Sequence, residues 1–254
     1  MISNMINGLL GKLGYKLIPS SQSYTEITDI TQDSDFIKIL NIVRPFTMTS
    51  TERIFALYQS VKYVISNNIP GDFVECGVWR GGSAMVIALT SLAMGDSSRH
   101  IYLYDTYEGM SEPTENDKDI YGHNAKALLD IKEKIVNVAD IWCYSSLEDV
   151  KQNLFSTGYP TDKFHFEKGK VEDTIPALIP SKICILRLDT DWYESTLHEM
   201  THLYPLLSEK GILILDDYGH WQGARKAVDE YFQANNIKLY LNRIDYTGRI
   251  SVKY

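Results

Sequence analysis

The stretch Ile183-Cys184-Ile185-Leu186-Arg187-Leu188-Asp189-Thr190-Asp191, with its echo Gly211-Ile212-Leu213-Ile214-Leu215-Asp216-Asp217, runs a short apolar β-forming segment straight into carboxylates, twice. Strands that end side by side in a parallel sheet deliver their last residues to one edge, where open α/β folds bind ligands. Asp189, Asp191, Asp216 and Asp217 gathered there would repel one another unless positive charge sat among them. A hard, oxygen-preferring divalent cation such as Mg²⁺ or Mn²⁺ is the simplest answer. It takes carboxylates plus water and leaves positions open for a substrate.

Working outward, the strand candidates are Phe73–Cys76, Ile101–Asp105, Phe164–Glu167, Ile183–Asp189, Ile212–Asp216, Ile237–Leu241 and Ile250–Lys253, with helical patterns between most of them. Such alternation predicts an α/β fold of parallel strands joined by right-handed crossovers. The last two strands are too close in sequence for a crossover helix, so the sheet is expected to finish in an antiparallel hairpin. Upstream, helical patterns cover 36–43 and 51–67. Ile2, Met5, Ile6, Leu9, Leu10 and Leu13 recur at helical spacing near the N-terminus. That amphipathic helix packs on its own domain or on a second subunit, with a membrane surface as the alternative. A homo-oligomer covers the stripe most simply. The segment 106–125, rich in Glu, Asp, Gly and Pro, is a candidate lid.

Composition narrows the function classes. The chain has 254 residues, 44% hydrophobic and 23% charged, as expected for one globular enzyme domain. Its net charge of -8 argues against a nucleic-acid partner, which demands a cationic footprint. Cys76, Cys143 and Cys184 are odd in number and widely spaced, which suggests neither a disulfide framework nor a zinc site and fits a reducing cytoplasm. No apolar run approaches the roughly 20 residues of a membrane span. The N-terminal sequence lacks a basic n-region and a cleavage site, so no signal peptide is read.

The first βα turn reads VECGVWRGGSAMVIA, beginning at Val74. Gly77, Gly81 and Gly82 permit a sharp turn and close approach of a ligand, and Ser83 opens the next helix, whose free N–H groups favour an anion. The spacing is not that of the dinucleotide fingerprint. Asp105 ends the second strand, where a carboxylate grips ribose hydroxyls. Turn and carboxylate together point to a nucleoside-containing cofactor, against the alternative of a purely structural turn.

Five ordered blocks carry a resemblance: GDFVECGVWRGGS (71–83), YDTYEGM (104–110), GKVEDTIP (169–176), LRLDTDWYEST (186–196) and LDDYGHWQGARKAVDEY (215–231). Together they resemble the macrocin O-methyltransferase (TylF-like) family of S-adenosylmethionine-dependent sugar O-methyltransferases, over residues 44–235. A more distant similarity, to catechol-type O-methyltransferases, falls at the same positions. The resemblance implies a class I methyltransferase sheet, Rossmann-like, with helices on both faces and an N-terminal helical extension over 1–67 of a single domain spanning 1–254. It implies that Glu75, Gly77 and Ser83 surround the methionine part of S-adenosylmethionine, that Asp105 holds the ribose, and that Val171 and Glu172 lie against the adenine. Thr47 and Met48 would cover the cofactor from the N-terminal side. Asp189, Asp216 and Asp217 would bind the metal, and Asp191 would be the general base. Asp217 has a plainer alternative as a capping or loop carboxylate, and Glu172 one as a solvated charge.

A sugar hydroxyl holds its proton tightly at neutral pH, so a metal that acidifies it and a nearby carboxylate that takes the proton make chemical sense. His198 and His220 are rival bases, His198 reading better as a packing residue of a helix. The Asp189-Thr190-Asp191 triplet also matches the D-x-D motif of glycosyltransferases, a reading that leaves the glycine turn and Asp216-Asp217 unexplained. For the acceptor, richness in Ile, Lys, Asn and Tyr points to an AT-rich genome and so to a surface-glycan sugar, such as a capsule or lipopolysaccharide heptose or deoxyhexose, or its nucleotide-linked precursor. The alternative is the sugar of an antibiotic glycoside. Tyr107, Tyr193, Tyr218 and Trp221 are candidates to stack on, or bond to, that acceptor, with ordinary packing as an equal alternative for each.

Overall fold

The computed structural model describes residues 29–133 and 142–254. The expected amphipathic helix over 2–13 lies outside them. By its contacts the chain divides into two units, Met1–Ser34 and Asp35–Tyr254. Of the first, the described part is one short helix, Asp29–Gln32, with no buried residue.

In chain order the elements are α1 (Ser34–Val43), α2 (Thr51–Ser66), β1 (Asp72–Cys76), α3 (Gly82–Ala93), β2 (Ile101–Asp105), α4 (Ala125–Glu133), α5 (Leu147–Phe155), β3 (Phe164–Lys168), α6 (Val171–Thr174), β4 (Ile183–Leu188), α7 (Tyr193–His202), β5 (Leu207–Leu215), α8 (Gln222–Ala234), β6 (Asn242–Arg243) and β7 (Arg249–Val252). The helix α2 starts where Ser50 Oγ accepts from Arg53 N at 3.1 Å, satisfying one of the orphan first-turn donors. It buries Ile54, Leu57, Tyr58, Val61 and Val64, one stripe at helical spacing. No helix among the described residues is long and apolar enough to cross a membrane.

The sheet has the order β3-β2-β1-β4-β5-β7-β6. Pairing is parallel from β3 through β5 and antiparallel at β5–β7 and β7–β6. Chain direction across the sheet reverses between β1 and β4, the switch point at which doubly wound folds open a crevice beyond the strand ends. On one face Val74, Cys76, Leu186, Leu188, Leu213 and Leu215 pack against Met200 of α7, Leu203 just after it, and Val228, Tyr231 and Phe232 of α8. The alternate residues, among them Phe73, Glu75, Ile185, Arg187, Ile212 and Ile214, point to the other face, where α2 and α3 pack together and α2 reaches β4 and β5. Glu75 and Arg187 are register partners on that second face.

The expected strand over 237–241 does not form. Ile237, Leu239 and Leu241 do turn inward onto the core, which explains their alternation, but ladder pairing is confined to Asn242–Arg243. A period of two reports one buried face and does not require a neighbouring strand. In the other direction, β5 begins at Leu207, earlier than the expected Ile212, because Leu207 pairs with Ile183 before the polar Ser208-Glu209-Lys210.

Candidate active site

The C-terminal ends of β1 to β5 open into one cavity of about 260 Å³. The residues expected to hold the cofactor and the metal line it together with the leading base candidate: Thr47 and Met48, Glu75, Gly77 and Ser83, Asp105, Val171 and Glu172, and Asp189, Asp191, Asp216 and Asp217. Convergence begins at Gly77, whose φ is +82° and where an added Cβ would lie 1.9 Å from Asp189 O. Only glycine lets β1 turn this tightly against the end of β4.

On the β1–β2 side, Asp105 organises the turn. Its Oδ2 accepts from Val78 N at 2.7 Å and Trp79 N at 3.0 Å, and its Oδ1 from Tyr107 N at 2.7 Å. These bonds hold Trp79 and Tyr107 at φ +48° and +53°, conformations uncommon for side chains of that size. Thr106 Oγ1 also approaches Oδ1 at 3.4 Å, so the carboxylate's roughly four lone-pair sites are largely engaged by the protein. Ser83 is buried in the first turn of α3. Glu75 is 1% exposed; Oε1 accepts from Arg187 Nη1 at 2.7 Å, whereas Oε2 has no partner among the described residues. Burial pushes the Glu75 carboxyl up to about 7, against the opposing pull of Arg187.

On the β4–β5 side, Asp189, Asp216 and Asp217 each offer a carboxylate oxygen within 4.8 Å of the others. Arg187, only 3% exposed on its side chain, bonds Asp216 Oδ1 at 2.7 Å and Asp189 Oδ2 at 2.8 Å. Arg53 of α2 donates through Nη1 to Asp216 Oδ2. Burial first, and then the charges of Asp216, Asp217 and Glu75, drives Asp189 well above the usual carboxylate range; for Asp217 burial is followed by Asp191 and Asp216. Asp191 is raised by burial and by Asp189, while hydrogen bonds with Asp217 and the Trp221 side chain pull the other way. Its φ of +66° is a non-glycine left-handed conformation of the kind found at functional turns.

On this side of the cavity Glu75, Asp189, Asp191, Asp216 and Asp217 thus gather near two guanidiniums, Arg53 on the wall and Arg187 buried behind it. The three aspartates are all-oxygen donors close enough to share one ion, and Glu75 Oε2, on the wall of the same cavity, is a buried acceptor unpaired among the described residues. These residues fit a hard divalent cation, which Asp189, Asp216 and Asp217 would hold.

Several expectations are redirected. His198 Nε2 lies 2.9 Å from Ile175 O, and His220 Nδ1 lies 2.9 Å from Tyr246 OH; neither lines the cavity. Tyr107 is buried with its hydroxyl donating to Leu103 O, and Tyr193 and Tyr218 donate to Glu230 and Asp229. These three hydroxyls serve packing and surface bonds. Tyr218, His220 and Trp221 instead line a second groove on α8. Segment 106–125 is docked: Trp192 Nε1 donates to Ser111 O at 2.9 Å, and buried Asp117 accepts from Tyr193 N at 2.8 Å. A Cβ at Gly223 would lie 2.2 Å from Asp117 Oδ1, so α8 also closes on this segment.

Sequence reasoning missed Arg187, Arg53 and Glu199. Arg187 had a signal, a charged residue inside a fully buried strand. Glu199, fully buried on α7, accepts from Thr190 Oγ1 at 2.9 Å, and its partner loop is named only by the fold.

Residues 43–252 match the family model described as Macrocin-O-methyltransferase (TylF). The chain belongs to this family. The 8-demethyl-8-(2,3-dimethoxy-alpha-L-rhamnosyl)-tetracenomycin-C 4'-O-methyltransferase of Streptomyces olivaceus is 32% identical over 206 residues, spanning 80% of this chain and 73% of that protein. The demethyldecarbamoylnovobiocin O-methyltransferase of Streptomyces niveus is 33% identical over 202 residues, with the same two shares, 80% and 73%. Among solved structures, the O-methyltransferase NovP superposes with a TM-score of 0.71 at 30% identity, over 82% of each chain. This TylF-family protein is an S-adenosylmethionine-dependent O-methyltransferase with the class I methyltransferase fold. Membership also sets aside the D-x-D glycosyltransferase reading, since it accounts for the glycine turn and for Asp216-Asp217 together.

Proposed function

We propose that this TylF-family enzyme methylates a hydroxyl on the sugar of a small-molecule glycoside, with Asp189, Asp216 and Asp217 holding the metal and Asp191 acting as base. The observation that carries the reading is the meeting, in one cavity, of the β1 turn with Asp105 and the acid cluster at the ends of β4 and β5. The acceptor class draws support from relatives named for a rhamnosyl-tetracenomycin and for a novobiocin precursor. Expectation of a surface-glycan sugar rested on composition alone and has weaker support than this alternative.

Glu75, Gly77 and Ser83 surround the methionine part of S-adenosylmethionine in this reading, Asp105 takes the ribose, Val171 and Glu172 flank the adenine, and Thr47 and Met48 cover the site. A divalent cation, when bound, supplies positive charge that lowers the acceptor hydroxyl's pKa. Asp191 takes the proton as the hydroxyl oxygen bonds to the methyl carbon, and the carbon–sulfur electron pair passes to sulfur. Asp217 and Trp221 orient Asp191 through their hydrogen bonds. Arg187 holds Asp189 and Asp216 through the two Nη atoms of one buried guanidinium, so their spacing is set before substrate arrives.

The deciding experiment is a methyl-transfer assay with S-adenosylmethionine and Mg²⁺ or Mn²⁺ across free sugars, nucleotide-linked deoxysugars and heptoses, and glycosides. Turnover on glycosides alone supports the proposal; turnover confined to nucleotide-linked or surface-glycan sugars refutes the acceptor class. The same reading takes 1–254 as one methyltransferase domain with a helical extension over 1–67, working in the cytoplasm as a homo-oligomer. Sedimentation of the full chain as a monomer would remove the oligomer.

A further inference from the structure

Arg53, on the first turn of α2, joins three separate pieces of chain. Its Nε donates to Asp245 Oδ2 at 2.9 Å, and its Nη1 donates to Asp216 Oδ2. Asp245 is fixed in turn, accepting from Ser50 Oγ at 2.5 Å, Thr247 N at 2.9 Å and Gly248 N at 2.7 Å. A Cβ on Gly248 would lie 2.9 Å from Arg53 Cδ, so the turn between β6 and β7 also presses on the stem of the side chain. The guanidinium is therefore held toward the cavity, which it lines with Asp189 and Asp217.

The far oxygen of Asp216 is already bonded to Arg187 Nη2. A carboxylate with a guanidinium on each oxygen has little net charge left for a third cation. Arg53 moreover repels any dication drawn to Asp189 and Asp217, since at an effective dielectric near 20 such charges still interact strongly over several ångströms. Arg187 cannot be the adjustable partner, being enclosed and shared with Glu75 and Asp189. Arg53, with its side chain 17% exposed at the cavity wall, is the one of the two positioned to yield.

We propose that Arg53 is an internal counter-cation that competes with the divalent ion for Asp216, balancing the acid cluster in the metal-free enzyme and keeping the metal exchangeable. The proposal rests on the assignment of Asp189, Asp216 and Asp217 as metal ligands and gives Arg53 a positioning role, tuned through Asp245.

Calorimetric titration of the metal-free, full-length protein with Mn²⁺ tests it. Arg53→Gln removes the charge and keeps a donor, and is expected to bind Mn²⁺ at least tenfold more tightly, about 1.4 kcal/mol. Arg53→Lys, which keeps the charge, stays within about threefold of wild type on the same scale. The metal-free Arg53→Gln protein should also melt below wild type, with saturating Mn²⁺ closing the gap. Should Arg53→Gln fold poorly, Arg53→Met, which keeps an unbranched stem against Gly248 and drops the charge, should tighten Mn²⁺ binding in the same direction; no change there overturns the proposal. Unchanged or weaker binding by Arg53→Gln, with Asp217→Asn weakened as a ligand variant, overturns the competition and leaves the ligand assignment standing. Wild-type binding by Asp217→Asn overturns the assignment, and the proposal with it.

Discussion

Replacing Arg187 by Met should be strongly destabilising, because one buried guanidinium is the shared partner of three carboxylates. The guanidinium bonds Glu75, Asp189 and Asp216 at 2.7, 2.8 and 2.7 Å, from a side chain 3% exposed. Charge-assisted hydrogen bonds contribute roughly 1.5–3 kcal/mol each, but their sum overstates the loss. Asp216 keeps Arg53, and Glu75, already raised to about 7, can take up a proton and shed its charge. Removing one partner of a buried ion pair costs about 3–5 kcal/mol, and that range is expected here. Urea unfolding of the metal-free protein measures it, with unchanged slope between variants as the control. Adding Glu75→Gln to Arg187→Met should recover part of the loss, because one of the stranded charges is then gone. A loss under about 1 kcal/mol, or a double variant worse than the single one, would show that Arg187 does not hold the carboxylates together.

Asp105→Asn should weaken S-adenosylmethionine binding at least tenfold, equivalent to about 1.4 kcal/mol, and also destabilise the β1 turn, since three backbone donors lose their ionic acceptor; calorimetry with unchanged affinity would exclude Asp105 from the cofactor site. Asp191→Asn should retain Mn²⁺ binding while turnover falls by about 10²–10⁴, whereas Asp217→Asn should lose metal affinity and regain part of its turnover at high metal; rescue of Asp191→Asn by metal would disqualify it as base. For Asp245, hydrogen bonds from Ser50 and the Gly248 backbone, helped by Arg53, outweigh burial and hold the carboxyl below its ordinary value. A depressed acid contributes stability that is complete above its unfolded pKa of about 3.9 and is lost as pH falls through the folded one. The stability gap between wild type and Asp245→Asn should therefore be constant near neutrality and shrink below about pH 4; a gap independent of pH would mean the clasp is not ionic.

Legibility in the sequence followed the physics of each signal. Buried parallel strands are apolar on both faces, so β4 and the second half of β5 stood out, and their carboxylate ends marked the crevice. The glycine at 77 was readable because only a missing Cβ allows β1 to touch Asp189. Where the signal was one-sided it misled: Ile237, Leu239 and Leu241 alternate because one side of an unpaired segment is buried. Tyr107, Tyr193 and Tyr218 were legible as aromatic residues near the site, but hydroxyl partners such as Leu103 O and Glu230 are set by packing that spacing does not encode.

The cations are the instructive omission. An acid cluster advertises itself by repetition, two and two at strand ends, while each compensating arginine is a single residue whose partner lies far along the chain. Arg187 meets Glu75 only because β4 pairs with β1 in the register Glu75↔Arg187. Arg53 meets Asp216 only because α2 crosses the same face of the sheet that Arg187 occupies, and because the β6–β7 turn holds it there through Asp245. The balance of charge in the cavity is thus a property of sheet order and helix placement, and it decides how much of the carboxylates' attraction is left for a metal. Two chains with the same four aspartates and a different residue at position 53 should therefore differ in metal affinity while sharing the same chemistry.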